Sequence, residues 1–259
     1  MPSLKNHPVS KRTKLLLVGD SGAGKTASLA SLANAGYNLR IWDYDGGLDV
    51  LPSFLKKDAT DVSYVTLRDS MKDASAFRKG VSLFSKYDDG ANNYGSVADW
   101  GENDVVVIDS LTFMGIAAMN EVLKAAGKKP SAQPSQPEWG DAMRQLEFVV
   151  RYLTSEDVQC NVVVTSHIAY VEDDAGVSRM YPSALGRKLP TIIGRYFNTV
   201  VRMDYKPGKD GGSRMLRTVA DHKMGLKNPA PDYISSEVEP DLAKLFEAIK
   251  KNAAEKTGG

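Results

Sequence analysis

Cysteine is almost missing from this sequence. Cys160 is the single example in 259 residues, which excludes an internal disulfide and fits a reducing compartment. Histidine is nearly as scarce: His7, His167 and His222 show no metal-ligand spacing and Cys160 has no partner, so no zinc centre is expected. Excess charge is lacking too, with 33 Lys and Arg against 32 Asp and Glu and a formal net charge of +1. No global field then draws the chain onto nucleic acid or a membrane, and any such binding has to come from a local patch. No apolar run approaches the roughly 20 residues needed to span a bilayer. The first residues carry Lys5, Lys11, Arg12 and Lys14 with no apolar stretch before Leu15, unlike a secretory signal, so the expectation is a soluble, cytoplasmic protein with no membrane partner. Internal repeats are absent. With 42% hydrophobic residues, the length suits one sizeable core.

What the chain does have is an apolar run, Leu15, Leu16, Leu17 and Val18, that stops at a glycine. From there Gly19, Asp20, Ser21, Gly22, Ala23, Gly24, Lys25 and Thr26 match G-x-x-x-x-G-K-[ST] at every fixed position, and Ala27 continues into a helical pattern. Glycines let successive backbone N–H groups turn inward on an anion, and a helix starting near Lys25 aims its positive end at the same point. The motif is a phosphate cradle. Lys25 is expected to reach the β- and γ-phosphates and the Thr26 hydroxyl to sit on Mg²⁺.

Residues 1–12 carry Pro2 and Pro8 with no period and read as a flexible arm; 13–236 read as one core around the phosphate loop, and 237–259 as a C-terminal helix over 240–252 with a frayed tail. Strands are expected at 14–18, 39–42, 62–65, 105–109, 161–165, 199–203 and 215–219, and helices at 25–35, 74–87, 114–126 and 139–153. Residues 88–103, rich in Asp, Asn and Gly, read as a surface loop. A β-hairpin is expected over 170–181 about Asp173, Asp174, Ala175 and Gly176, then a loop or short helix over 182–194. Alternating strands and helices argue for an α/β fold with a mostly parallel, doubly wound central sheet flanked by helices and a late antiparallel strand extension. Ligands in such sheets bind outside the carboxyl ends of the strands, where Lys25, Asp45, Asp109 and His167 all fall.

Val105, Val106, Val107 and Ile108 closing on Asp109 describe a fully buried parallel strand with a carboxylate at its end, a Walker B pattern. Asp109 is placed to hold Mg²⁺ opposite Thr26, directly or through water; the competing role is a cap for the helix that follows. Asp45, at the mouth of the neighbouring strand, is the candidate to orient or deprotonate an attacking water, with Asp43 its competitor. His167 closes a buried strand beside the phosphate site and reads either as a polar switch for the γ-phosphate or as a structural histidine.

Four further segments carry a family resemblance: Ile41-Trp42-Asp43-Tyr44-Asp45-Gly46-Gly47-Leu48-Asp49, Ile108-Asp109-Ser110-Leu111, Val164-Thr165-Ser166-His167-Ile168, and residues 218–231. With the phosphate loop, they resemble successive core motifs of the RecA-type recombinase ATPases over residues 14–234. The similarity is closest to the short phage RecA-core proteins, the phage nucleotide-binding or single-strand annealing ATPases. The resemblance implies a RecA-like P-loop NTPase core, ATP and Mg²⁺ as cofactors, DNA-stimulated hydrolysis and a host-cytoplasmic location. It also implies a homo-oligomeric ring or filament on single-stranded DNA, with a single-strand DNA-binding protein as a further partner. Asp45 stands where RecA-type enzymes bear a catalytic glutamate one methylene longer. His167 stands where RecA has the glutamine that couples the γ-phosphate to its DNA loop. RecA's large N-terminal and C-terminal additions have no counterpart.

The same resemblance makes two loops candidate DNA contacts: about 128–139, with Lys128, Lys129 and Trp139, and about 170–195, with Arg187, Lys188 and Arg195 alongside Tyr170 and Tyr181. Cations for phosphates and aromatics for stacking are what a single strand requires. The plainer alternative is a solvated loop with core aromatics, Trp139 anchoring its helix. Lys223 looks like the lysine that RecA filaments insert into the neighbouring subunit's ATP site, with Arg214 and Arg217 as rivals. The function implied is an ATP-dependent single-stranded DNA recombinase or annealing protein. A P-loop motor such as a helicase or helicase loader, and a nucleotide-gated binding module with little turnover, are the alternatives. A small-molecule kinase is disfavoured because no arginine-rich lid is evident.

Overall fold

The protein is described from a computed structural model covering residues 12–60, 62–70, 73–172, 176–208 and 212–257. Residues 1–11 of the expected N-terminal arm, and 173–175 of the expected hairpin turn, lie outside the described residues. The chain begins with β1 (Lys14–Gly19), then β2 (Asn38–Asp43), β3 (Val62–Thr66), β4 (Asp104–Asp109) and β5 (Asn161–Ser166). A hairpin of β6 (Ile168–Glu172) and β7 (Ser178–Pro182) follows, then β8 (Thr199–Lys206), β9 (Ser213–Arg217) and the two-residue β10 (Glu237–Val238). One sheet takes the order β10-β9-β8-β1-β5-β4-β2-β3, while β6 and β7 pair only with each other. The strands from β8 to β3 in that order run parallel, and β9 and β10 are antiparallel. This is the α/β class expected from the sequence, late antiparallel extension included.

Continuous apolar runs form the middle strands because both faces are covered. Leu15, Leu17, Ile41, Val107 and Val163 face one layer. That layer contains α1 (Lys25–Ser28), α2 (Ala30–Asn34) and a C-terminal helix, Leu242–Thr257, with Phe246 buried against Tyr37. Leu16, Val18, Trp42, Ile108 and Val164 face the other, built from α3 (Ala76–Ser82), α4 (Leu111–Ala125) and α5 (Gln136–Thr154). After α5 come α6 (Lys188–Ile192) and the C-terminal helix, α7. The expected helix over 25–35 is interrupted at Leu29. Helix α5 starts earlier than its apolar stripe: the Glu138 carboxylate accepts from the Ser135 N–H (2.6 Å) and hydroxyl (2.8 Å), a capping box, with Pro137 in the first turn.

Residues 88–103 are not simply the expected surface loop. Val97 and Trp100 are buried, as is Tyr87 just before them, and the Tyr87 and Trp100 rings close on Trp42 at 4.6 and 6.2 Å between centroids. The polar residues between them form the turns that allow this return, such as the bridge between Asp88 and Asn93.

Parallel register brings the functional ends together. Val18 lies beside Ser166, Ile108 beside Val164 and Asp43 beside Asp109, so β1, β2, β4 and β5 deliver their carboxyl ends to one edge of the sheet. The chain leaves β1, passes β5 and β4, and enters β2, which opens a crevice at that edge.

Candidate active site

The phosphate loop turns between β1 and α1, with Gly22 at φ 74° and Gly24 at φ 104°, a backbone that side chains rarely adopt. Lys25 is buried, and its ammonium donates to the carbonyls of Gly19 (2.8 Å) and Asp20 (2.9 Å) across the loop. Of its three N–H donors, one remains for a phosphate oxygen. Burial lowers the Lys25 pKa, and the charges of Asp109, Asp45 and Asp20 oppose that shift. Opposite, the Thr26 hydroxyl donates to Asp109 Oδ2 at 2.8 Å and the Thr165 hydroxyl donates to Oδ1. Asp109 is 1% exposed; burial raises its pKa and the two hydroxyls counter it. A hydroxyl and a carboxylate paired beside a phosphate loop are the hard oxygen donors that Mg²⁺ takes together with phosphate oxygens and water, so Thr26 and Asp109 fit that ion.

Two nearby carboxylates have different surroundings. Asp43 is buried, accepting from the Gly46 N–H at 2.5 Å and the Thr66 hydroxyl at 3.3 Å, and so holds the turn after β2. Burial raises its pKa, against the Gly46 bond. Asp45 instead lines a cleft of about 570 Å³ together with Lys25, Thr26 and His167. The N–H groups of Tyr44 and Asp45 donate to the Asp109 carbonyl (2.7 and 3.0 Å), fixing the Asp45 turn against β4.

His167 Nε2 stands 3.9 Å from Asp45 Oδ2, with the Phe113 ring edge-on at 5.9 Å. The His167 backbone N–H donates to the Thr112 hydroxyl oxygen (3.1 Å), and that hydroxyl donates to the Ser183 carbonyl (3.1 Å). Burial, reinforced by the Lys25 charge, lowers the His167 pKa, and the charges of Asp45, Asp109 and Asp20 oppose that shift.

A phosphate loop, a buried strand-end aspartate and a cleft carboxylate are thus assembled at one sheet edge. The family model of an AAA domain, AAA_24, matches residues 11–230 of this chain. The chain belongs to the AAA_24 family. It is a P-loop ATPase of that kind. No curated protein matches the sequence. Among solved structures it is similar to a KaiC-like protein of the archaeon Pyrococcus horikoshii OT3, at 13% identity and a TM-score of 0.40, covering 79% of this chain and 77% of that one. It is also similar to the flagellar accessory protein FlaH of Methanocaldococcus jannaschii, at 11% identity and a TM-score of 0.39, covering 79% and 76%. A type III secretion ATPase of pathogenic bacteria aligns at 13% identity and a TM-score of 0.42, over 74% of this chain and 52% of that one.

The remaining expected residues of this AAA domain fall in different places. Arg214, a rival for a cation supplied to a neighbour, lies over its own phosphate loop: a Cβ on Gly24 would meet Arg214 Cδ at 2.7 Å. Arg217 is paired with Asp204 (3.1 Å) and Glu237 (2.6 Å). Lys223 is exposed, on a turn whose N–H groups at Lys223 and Met224 both donate to Asp221 (2.8 Å each). That turn is latched by Arg202, 6% exposed, which bridges Asp221 and Asp204 at 3.0 and 2.7 Å.

Helix α4 carries the chain away from Asp109, and α5 returns alongside it, so the 128–135 loop sits about 22 Å along α4 from the nucleotide end, at 1.5 Å for each of 15 residues. Lys128 there is paired with Glu138 at 2.7 Å, Lys129 is exposed, and Trp139 packs partly buried against the core. Arg187 and Lys188 are exposed just after Gly186, which lies against Met143 of α5. Arg195 is exposed too but precedes β8, whose first residue sits beside Leu15, so it lies at the amino edge of the sheet, away from the others. Sequence reasoning missed Thr165, Thr112, and the cleft-lining Val50, Phe54 and Pro240. Only Thr165 left a signal, a hydroxyl near the end of a buried strand.

Proposed function

We propose that this AAA domain is an ATP-dependent single-stranded DNA-binding protein of the recombination or annealing kind, hydrolysing ATP at subunit interfaces of a homo-oligomer. The observation that carries the reading is the position of His167. Its ring reaches the phosphate end of the cleft, its carbonyl accepts the Ser183 N–H at 2.7 Å, and β6 begins at the next residue. One residue therefore joins the nucleotide end to the segment bearing exposed Tyr170, Arg187 and Lys188.

In this reading the loop N–H groups and Lys25 bind the triphosphate, and Mg²⁺, held by Thr26 and Asp109, supplies charge neutralisation when bound. Asp45 orients the water and takes its proton, while Asp43 stays in its turn. His167 donates to or accepts from the γ-phosphate end and passes the difference between triphosphate and diphosphate to residues 168–183. Lys129, Arg187 and Lys188 then meet DNA phosphates and Tyr170 stacks on a base. Arg195 lies outside that surface. Lys223, exposed and free of an ion pair among the described residues, is the cation offered to a neighbouring subunit.

The test is ATP turnover with and without single-stranded DNA. Stimulation that fades as salt rises is expected, and Asp45→Asn should bind ATP while losing at least about 100-fold in turnover. A folded, ATP-binding protein that DNA does not stimulate at low salt rules the proposal out. Displacement of a strand from duplex, in place of annealing, would transfer the reading to a motor ATPase.

A further inference from the structure

Asp43 and Thr66 end β2 and β3 as a pair in register, and Asp45 and Arg68 each come two residues later, so the sheet carries them out side by side. The register holds beyond the strands, where the Leu67 N–H donates to the Asp43 carbonyl at 2.8 Å. An aspartate bears its carboxylate on a single methylene, so where that group reaches depends on where its backbone is held. On one side the Asp45 backbone is tied by its N–H, which donates to the Asp109 carbonyl at 3.0 Å. On the other side come Gly46 and Gly47, which offer no side chain to fix the turn, with Gly46 at φ 70°. Arg68 takes that place: its Nη2 donates to the Asp45 carbonyl at 2.8 Å. The guanidinium also covers Gly46, since a Cβ there would fall 1.4 Å from Nη2 and 2.1 Å from Cζ.

We propose that Arg68 is a positioning residue for ATP hydrolysis: by holding the Asp45 carbonyl and covering Gly46, it keeps the Asp45 carboxylate aimed into the nucleotide cleft. The proposal rests on the reading above in which Asp45 orients the attacking water. Arg68 is not among the described residues lining that cleft, so it is no phosphate ligand and acts through Asp45. It lines a separate cavity of about 290 Å³ with Phe113 and Ile116, and Asp45 lines both spaces. A guanidinium suits the task because its donors sit on one rigid plane, which can bond a carbonyl and lie over a glycine at once. A shift of about 1 Å in a group that orients a nucleophile costs up to about 100-fold in rate, so a loosened turn is felt in turnover before it is felt in binding.

ATP turnover by the full chain, by Arg68→Ala, Arg68→Lys and Asp45→Asn, and by the double variant Arg68→Ala with Asp45→Asn tests this. Arg68→Ala should lower kcat at least about tenfold with KM for ATP within about twofold, and the retained KM also shows that the variant is folded. Arg68→Lys, which can still donate to the carbonyl, should return to within about threefold of the native kcat. On the Asp45→Asn background, Arg68→Ala should cost no more than about a further twofold, because the group it positions is already gone. Losses that multiply in the double variant overturn the proposal, since Arg68 then acts apart from Asp45. A raised KM at native kcat makes Arg68 a binding residue and overturns it equally, as does a native kcat in Arg68→Ala while Asp45→Asn is inactive. If Asp45→Asn itself turns over ATP at the native rate, the Asp45 reading fails and this one with it.

Discussion

Lys14 opens β1 with its ammonium inside the protein, 6% exposed, donating to the carbonyls of Val158 (2.7 Å) and Cys160 (3.0 Å). Burial brings its pKa down from 10.5 to about 8; Cys160 and Glu156 oppose the shift and Arg12 adds to it. Below pH 8 folded and unfolded chains both hold the proton, and the folded state bears the full disadvantage of a buried charge. Between about 8 and 10.5 the unfolded chain binds more protons than the folded one, so this group makes stability rise with pH. Relative to Lys14→Met, the native chain should gain up to about 3 kcal/mol across that window, read from denaturant midpoints at stepped pH. A flat difference between the two proteins would show that Lys14 titrates normally. At this scale, the meeting of Lys25, Thr26 and Asp109 at one sheet edge was legible because each belongs to a motif that ends a strand or opens a helix. The difference in surroundings between Asp43 and Asp45 was not: one ends β2 and the other follows it by two residues, and which one is tied down depends on where the Gly46 N–H points. The position of Arg214 was illegible because strand pairing, not sequence proximity, lays it on Gly24.

Elements differ in how plainly they announce themselves. Buried strands and long amphipathic helices follow from periodicity, while their bounds shift by a few residues, at α5 because Ser135 and Glu138 cap it early. The aromatic return over 87–100 and the 3₁₀ segment at 48–54 have no period, so only tertiary packing against Trp42 and the sheet reveals them. Helix α7 was read from its pattern, but its partner was not. Leu242, Leu245, Phe246 and Ile249 close the same apolar layer as Leu15, Leu32 and Leu39. Phe246→Ala should therefore destabilise the whole domain by about 3–5 kcal/mol in a single unfolding transition. Phe148→Ala, at a residue 70% exposed on α5, should change stability by no more than about 0.5 kcal/mol. Separate loss of α7 signal before the rest unfolds would mean that the helix is an appendage.

For the molecule as a whole, the open question is assembly. Lys223 stands on an exposed turn held by Asp221 and Arg202, and its carbonyl accepts the Met180 N–H of β7 at 2.8 Å, which ties the turn to that strand. If that lysine completes a neighbour's site, Lys223→Ala and Lys25→Ala should each lack ATPase activity alone. Mixed, they should regain a measurable fraction, because some interfaces then combine an intact loop with an intact lysine. No recovery in the mixture would put the cation elsewhere.

The sheet itself limits how copies can meet. Its outermost strands are β3, five residues long, and β10, only two. So few unpaired backbone groups make a poor template for another chain's strand. Lengthening the sheet with another chain's strand is therefore discouraged, while the valine and leucine runs of the middle strands stay buried inside it. In the proposed oligomer, contacts between copies then fall to side chains.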